Sequence, residues 1–119
     1  MSTKKPVSEA LTDALETVYP DSVYPETYVG TATEYVVWNY SVINEVWAES
    51  VPQAARYLVQ VHLYSPRGKD PTAAILALEQ ALSAAGFTWP ARTDASDKEG
   101  QHHVLECEYC DGGGYYGHT

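Results

Sequence analysis

The residues best suited to chemistry lie near the C-terminus, where cysteine and histidine side chains cluster. The pair Cys107-x-x-Cys110, with His102, His103 and His118, could form a Cys2His2 zinc site, because zinc prefers thiolate and imidazole ligands. The pattern lacks a second ligand pair at zinc-finger spacing, and Cys107 falls inside a predicted strand. A redox dithiol is disfavoured because the motif does not open a helix, whose N-terminus lowers a thiol pKa. We therefore expect no metal and no cofactor, and a small enzyme or metal protein that uses His102, His103, Cys107 and Cys110 remains an alternative.

The other polar residues form neither a catalytic set nor a phosphate loop. His62 lies on the polar side of a predicted strand with no partner at a recognisable spacing, so we interpret it as an exposed or interface histidine. The stretch 65–69, SPRGK, lacks the glycine pattern that precedes a Lys-Ser/Thr pair in phosphate loops. It is more simply a basic turn between a strand and a helix. The sequence thus predicts a protein that is not an enzyme.

A strand, turn and helix at residues 54–87 organise the chain. Apolar residues alternate along the strand at Ala55, Tyr57, Val59, Val61 and Leu63. Asp70 and Pro71 suit the first positions of a helix, and Gly86 suits its C-terminal cap. The apolar stripe of that helix is Ala74, Ile75, Leu78, Leu82 and Ala85.

The remaining elements are a second helix and further strands. Helical periodicity covers residues 7–18, and an irregular connector follows to Gly30. Strands are expected at 34–40, 87–90 and 102–109. The strand at 34–40 is the expected antiparallel partner of the strand in 54–87. Residues 41–50 are predicted to form either a further strand after a turn near Asn44-Glu45 or an irregular arm. This order predicts an α+β fold, with two helices packed on one face of a mostly antiparallel sheet of four to five strands. Residues 1–109 would form a single domain and residues 110–119 a glycine-rich tail.

The composition restricts the partners of the chain. With 16 acidic and 7 basic residues, its formal charge of −9 argues against a protein that binds nucleic acid by neutralising phosphates. No apolar run is long enough for a membrane span, so we expect no membrane partner. The 10 tyrosines and 3 tryptophans are amphipathic aromatics, which suit half-buried sheet faces and protein interfaces.

Several stretches of the chain resemble one protein family. The segments YLVQVHLYSPRG, DPTAAILALEQALSAAGFTW and TDASDKEGQHHVLECEY, with the earlier aromatic strand EYVVWNY, are similar to the tail-completion (tail terminator) proteins of siphophages and prophages of Gram-positive bacteria. The resemblance covers residues 5–109. The C-terminal CDGGGYYGHT departs from the family pattern, so its contacts are not implied.

The resemblance implies a structural virion protein. Members of this family form a homo-oligomeric ring, usually a hexamer, that caps the head-proximal end of the tail tube. The expected partners are the major tail protein and the head-completion connector, and genomic DNA passes through the lumen without specific binding. The expected location is the head-proximal end of the tail in the virion, after assembly in the host cytoplasm. The alternatives are another head-tail connector or minor tail protein, or a non-catalytic α+β domain that binds a ligand or regulates a partner.

A ring built head to tail needs two different complementary surfaces on each subunit. We expect Arg67 and Lys69 of the basic turn to meet an acidic patch of the next subunit, and the alternative is an ordinary solvated loop. Tyr64 and Trp47 are the aromatic residues that we expect at the same interface.

Acidic residues are the candidates for the lumen. Glu106 and Glu108 fall on one face of the last strand, and Asp97 and Glu99 lie in the turn before it. Such a surface would repel DNA that passes along it. The alternative is an ordinary solvated sheet face.

Overall fold

The computed structural model describes residues 5–48 and 51–111, and only the backbone of residues 44–48, 51–54 and 111. The elements in chain order are α1 (Val7–Glu16), β1 (Val23–Pro25), β2 (Tyr35–Ala48), β3 (Val51–Ser65), α2 (Thr72–Ala84), β4 (Ala91–Asp94) and β5 (Gln101–Asp111). The predicted α+β fold is confirmed, with both helices packed on one face of a mostly antiparallel five-stranded sheet. Neither described helix is long and apolar enough to span a membrane.

The sheet has the strand order β1-β2-β3-β5-β4. Strands β2 and β3 form a long antiparallel hairpin in which Tyr35 pairs with Tyr64 and Ala48 with Val51, so the predicted partner of the central strand is correct. Strand β5 lies antiparallel on the other side of β3, and β4 closes that edge. Residues 41–48 are neither a separate strand after a turn at Asn44 nor an irregular arm, because β2 continues through them without a break.

Two other boundaries differ from the sequence prediction. Residues 23–25, inside the expected irregular connector, form β1 and pair in parallel with β2, which the extended backbone before Pro25 permits. The last edge strand begins at Ala91 instead of Phe87, because Phe87 turns into the core and Pro90 has no N–H to donate. Strand β5 also extends to Asp111, two residues into the predicted tail, and the rest of that tail lies outside the described residues.

The hydrophobic core lies between the sheet and the two helices. On β3 the alternate residues Val59, Val61 and Leu63 are almost fully buried under the helices. Both predicted helical stripes supply the opposite wall, with Leu11, Leu15, Leu78 and Leu82 fully buried. At about 25 cal/mol per Å² of apolar surface, each of these leucines contributes roughly 2 kcal/mol to folding.

A buried ion pair joins α2 to the edge strand β4. The Glu79 side chain is only 1 % exposed, and both of its carboxylate oxygens accept hydrogen bonds from the Arg92 guanidinium, at 2.6 and 2.7 Å. Arg92 is half-exposed, so it covers the buried carboxylate from the solvent side. A charge buried this deeply requires a partner, and Arg92 therefore holds β4 against the helix.

We expect Arg92→Ala to destabilise the fold clearly, because it leaves the buried Glu79 carboxylate without a partner. The double variant Glu79→Met with Arg92→Leu should recover most of the loss, since no unpaired charge is then buried. The measurement is the urea midpoint of unfolding. Lys98→Ala, in the exposed β4–β5 turn, is the matched control and should leave the midpoint almost unchanged. An Arg92→Ala midpoint equal to that of the control would contradict a structural role for the pair.

Candidate functional site

The sheet face opposite the helices, which we term the open face, is not covered by any described helix or strand. Its residues alternate with the core residues along β2, β3 and β5. The central rows of the open face are polar, with Asn39, Gln60 and Glu106 in register across three strands.

An aromatic ladder crosses one end of the open face. Consecutive ring centroids lie 4.3–5.1 Å apart in the order Tyr24, Tyr28, Tyr35, Tyr64, His102 and His62. The Tyr35–Tyr64 and Tyr64–His102 pairs are stacked, with interplanar angles of 20° and 15°. Because these rings use their faces to contact one another, they are poorly available to stack on a base or a sugar ring. The ladder is thus a rigid part of the sheet.

The ladder ends in a pair of hydrogen-bonded histidines. His62 Nδ1 and His102 Nε2 are 2.8 Å apart, so an N–H of one ring donates to the other, and the Asn39 amide lies 3.2 Å from His62 Nε2. Burial lowers the pKa of His62, and the neighbouring His102 lowers it further, whereas Glu106 opposes the shift. Burial also lowers the pKa of His102, assisted by His103 and opposed by Asp97 and Asp94. The pair is therefore held in the neutral form.

A cavity of about 450 Å³, which we term the end cavity, opens beside the ladder where β3 leads into α2. Its lining residues come from the ladder, the basic turn, the segment before β2 and the β4–β5 turn, and include Tyr35, Tyr64, Ser65, Arg67, Asp97, Glu99, Gln101 and His102. Ser65 is 4 % exposed, and its hydroxyl has no hydrogen-bond partner in the described structure. The cavity thus brings together five of the residues that the sequence singled out: Tyr64, Arg67, Asp97, Glu99 and His102.

Both cations of the predicted subunit contact are bound within their own chain. Arg67 donates to the backbone carbonyl oxygens of Lys98 and Asp97, at 2.7 and 3.1 Å. The Lys69 ammonium lies 2.6 Å from a Glu34 carboxylate oxygen, and this bond, together with one from the Tyr19 hydroxyl, lowers the pKa of Glu34. These contacts give the basic turn a role in joining β3, the β4–β5 turn and the segment before β2. A contact of Arg67 or Lys69 with a neighbouring subunit stays a prediction.

The four acidic candidates occupy two different places. Glu106 and Glu108 lie on the open face, where Glu106 accepts a hydrogen bond from Gln60 at 3.0 Å and Glu108 lies 3.4 Å from Arg56. Asp97 and Glu99 lie in the β4–β5 turn beside the end cavity, and the Asp97 carboxylate accepts the Glu99 backbone N–H at 2.8 Å. Glu106 is exposed and its recorded partner is neutral, so it leaves an uncompensated charge on the open face.

The remaining candidates do not form a site in the described chain. Trp47 pairs with Pro52 through its backbone, and its side chain lies outside the described residues, as does His118. Cys107 is buried in the core, which raises the pKa of its thiol to about 12. Cys110 is three residues further along the same strand and therefore points to the opposite face, so the two thiols cannot share one ion. Among the described residues, no group of three or more suitable side chains could hold a metal.

Sequence reasoning missed the ladder and the Glu79–Arg92 pair. The ladder follows from the register of β2 and β3, which pairs Tyr35 with Tyr64. The sequence would have predicted this pairing if β2 had been taken as one unbroken strand. The burial of Glu79 could not be predicted from its position next to Leu78 in the apolar stripe of α2. A carboxylate is buried there only because Arg92, on strand β4, pairs with it.

No family model matches the chain, and no curated protein matches it either. The fold and the placement of the residues above therefore carry the functional argument.

Replacing Tyr64 by Ala should destabilise the fold by about 1–3 kcal/mol, because Tyr64 stacks on both Tyr35 and His102 and each aromatic pair contributes about 0.5–1.5 kcal/mol beyond burial. Tyr64→Phe keeps both stacks and should change the free energy of unfolding by less than about 0.5 kcal/mol. Urea denaturation followed by circular dichroism measures both variants. Equal losses for the two variants would show that stacking is not the source of the stability.

The histidine pair should make stability depend on pH. Both pKa values are lowered in the folded chain, so below the ordinary histidine value of 6.5 the unfolded chain binds more protons than the folded one. The histidine pair therefore contributes fully to the free energy of unfolding above pH 6.5, and this contribution is lost as the pH falls below 6.5. The free energy of unfolding should therefore be lower near pH 5.5 than near pH 7.5. The double variant His62→Gln with His102→Gln should flatten this slope, and an unchanged slope would refute the assignment.

Proposed function

We propose that the chain is a structural virion subunit, a tail terminator that assembles into a ring at the head-proximal end of a phage tail tube and lets DNA pass through its lumen. On this proposal the subunit has no enzymatic activity. Its partners are further copies of itself, the tube protein and the head-completion connector.

The observation that carries the proposal is the one-sided cover of the sheet. Both helices pack on one face, which leaves the open face of β2, β3 and β5 without cover in the described structure. An uncovered sheet face is suited to line a lumen or to meet another subunit. Its exposed Glu106 would disfavour the close approach of a phosphate backbone.

The charge distribution supports a conduit better than a nucleic-acid binder. Within the described residues, four ion pairs join a Lys or Arg to a carboxylate of the same chain: Lys5–Asp13, Arg56–Glu108, Lys69–Glu34 and Arg92–Glu79. These pairs use four of the seven basic residues of the sequence, so the surface that remains is strongly acidic. A protein that binds nucleic acid gains affinity when its basic groups neutralise phosphates and release their counterions, and this surface offers very few basic groups.

The end cavity favours the second candidate function, a non-catalytic ligand-binding domain. Its volume of about 450 Å³ lies within the usual range for small-molecule sites, and its lining includes the polar residues Arg67, Asp97 and Glu99. The two candidates differ in oligomeric state, because only the terminator must form a ring.

The direct test combines electron microscopy of the purified protein with a capping assay on tail tubes assembled from the tube protein encoded in the same genome. We expect the purified protein to form rings in the micrographs. In the capping assay, we expect each tube to carry a ring at one end only. Genes for head-completion and major tail proteins beside this one would support the same assignment. A particle that remains a single subunit, with or without tubes, would instead favour the ligand-binding domain.

The acidic open face should keep DNA from binding. We expect Glu106→Lys to convert a protein that does not retain duplex DNA at low salt into one that does, because each subunit then gains two units of positive charge on the lumen face. Filter binding at low and high salt measures the effect. Glu16→Lys makes the same charge change at the exposed end of α1 and is the control. If both variants retain DNA equally, net charge and not the open face decides binding.

A further inference from the structure

The outer edge of β2 is unpaired over most of its length. Strand β1 pairs with β2 only from Val36 to Trp38, and two flanking bonds join the Val36 N–H to the Ser22 carbonyl oxygen and the Glu26 N–H to the Trp38 carbonyl oxygen. From Asn39 to Ala48 no backbone partner is recorded on that edge within the described chain. An edge strand of this length is a template for another strand, and proteins usually protect it with charged side chains, prolines or bulges.

The part of this edge before Glu45 lacks that protection. No residue from Tyr35 to Asn44 is charged or is a proline. Large apolar side chains are exposed on both faces of the same part of the hairpin, with Tyr40 and Val42 on the helix side and Ile43 and Leu58 on the open side. Val42 is 49 % exposed. We term this region the β2 edge patch.

The opposite edge of the sheet carries a second apolar patch. Strand β4 is the last strand there, and Trp89, two residues before it, is 55 % exposed. Leu76 is also exposed and lies one helical turn before Glu79, the residue that binds Arg92 of β4. We term this region the β4 edge patch. The two patches therefore lie at opposite edges of one sheet.

We propose that the β2 edge patch of one subunit pairs with the β4 edge patch of a second copy, so that the sheet continues from subunit to subunit. This inference rests on the proposed function, since it supplies the contact that would close the ring. The contact is heterologous, and repeating it generates a ring or an open filament.

The strand directions suit this contact. Strand β4 runs antiparallel to β5, β5 to β3, and β3 to β2, so β4 is antiparallel to β2. Strand β4 lies level with residues 36–39 of β2, where β1 is paired, so a neighbouring copy in the same orientation must be displaced along the strands by about 10 Å to bring its β4 against the free edge from Asn39 onward. The two strands are then antiparallel, an arrangement that hydrogen-bonds well, and tilted strands accommodate such a displacement in a closed ring, as they do in β-barrels. The same repetition keeps all helices on one side and all open faces, with Glu106, on the other.

The dimensions of such a ring are compatible with a DNA conduit. Because β2 and β4 form the contact, each subunit contributes the four strands β2, β3, β5 and β4 to the circumference, a width of roughly 19 Å at a strand spacing of about 4.8 Å. Six such units joined edge to edge would close a ring roughly 37 Å across between backbones. This bore exceeds the width of a DNA duplex, with room for the side chains of the open face.

A second copy is the occupant that the charges favour. Two subunits of charge −9 repel each other wherever their acidic surfaces meet. The uncharged run from Tyr35 to Asn44 brings no carboxylate of its own to the contact, so the exposed Asp94 of the facing β4 meets no like charge there. The contact needs no free cation, which matters because Arg67 and Lys69 are engaged within their own chain.

The test uses one charged variant at each patch, Val42→Lys and Trp89→Lys, with Val29→Lys as the control. Val29 is 93 % exposed in the segment between β1 and β2, and it follows Tyr28, whose ring contacts Tyr35, seven residues before Val42 on β2. Circular dichroism and urea unfolding establish that each variant is folded. Native mass spectrometry, with and without chemical crosslinking, then gives the mass of each variant and of a mixture of the first two.

We expect each patch variant alone to have the 13.1 kDa subunit mass, and Val29→Lys to form the same ring as the unchanged protein. The mixture should give a heterodimer and nothing larger, because the Val42→Lys subunit keeps an intact β4 edge and the Trp89→Lys subunit keeps an intact β2 edge. Rings formed by either patch variant alone, or a mixture without heterodimers, would overturn this contact while leaving the ring itself in place. An unchanged protein that is monomeric would instead overturn the proposed function.

Discussion

Strand β3 is buried on one side only, because both helices pack against the face that carries Val59, Val61 and Leu63. The residues that alternate with them, including Gln60 and His62, are left on a face that no described element covers. This asymmetry separates the core from the open face, which carries both the aromatic ladder and the acidic residues Glu106 and Glu108. It also leaves the sheet stabilised from one side, so that cross-strand contacts on the open face must supply part of its rigidity.

The charges of the chain restrict how it can associate. Most of its described cations are held by carboxylates or carbonyl oxygens of the same subunit, and the acids outnumber the bases by 16 to 7. An ionic contact between copies would have to break existing pairs, which gains little for exposed charges. Apolar edges with unpaired backbone groups offer a contact that does not have this cost. The basic turn is better understood as an internal clamp than as a docking surface.

Much of the fold was predictable because local patterns agree with the tertiary structure. The period of two in β3 and the apolar stripes of α1 and α2 identify the elements and the face that each one buries. The candidate residues Tyr64, Arg67, Asp97 and Glu99 were identified without knowledge that one cavity joins them. Their meeting depends on the β3–β5 register, and Glu79 depends on Arg92 thirteen residues away. Such pairings between distant segments have no local signal in a single sequence.

The central claim is that this acidic subunit assembles through apolar sheet edges into a closed ring. Sedimentation of the purified protein over a series of salt concentrations tests it most directly, because salt screens repulsion between acidic subunits and leaves an apolar contact intact. The account predicts a particle of about six times the 13.1 kDa subunit mass that persists or becomes more populated as salt rises. A particle that dissociates to subunits as salt rises would point to ion pairs between copies, and a monomer at every salt concentration would contradict the claim.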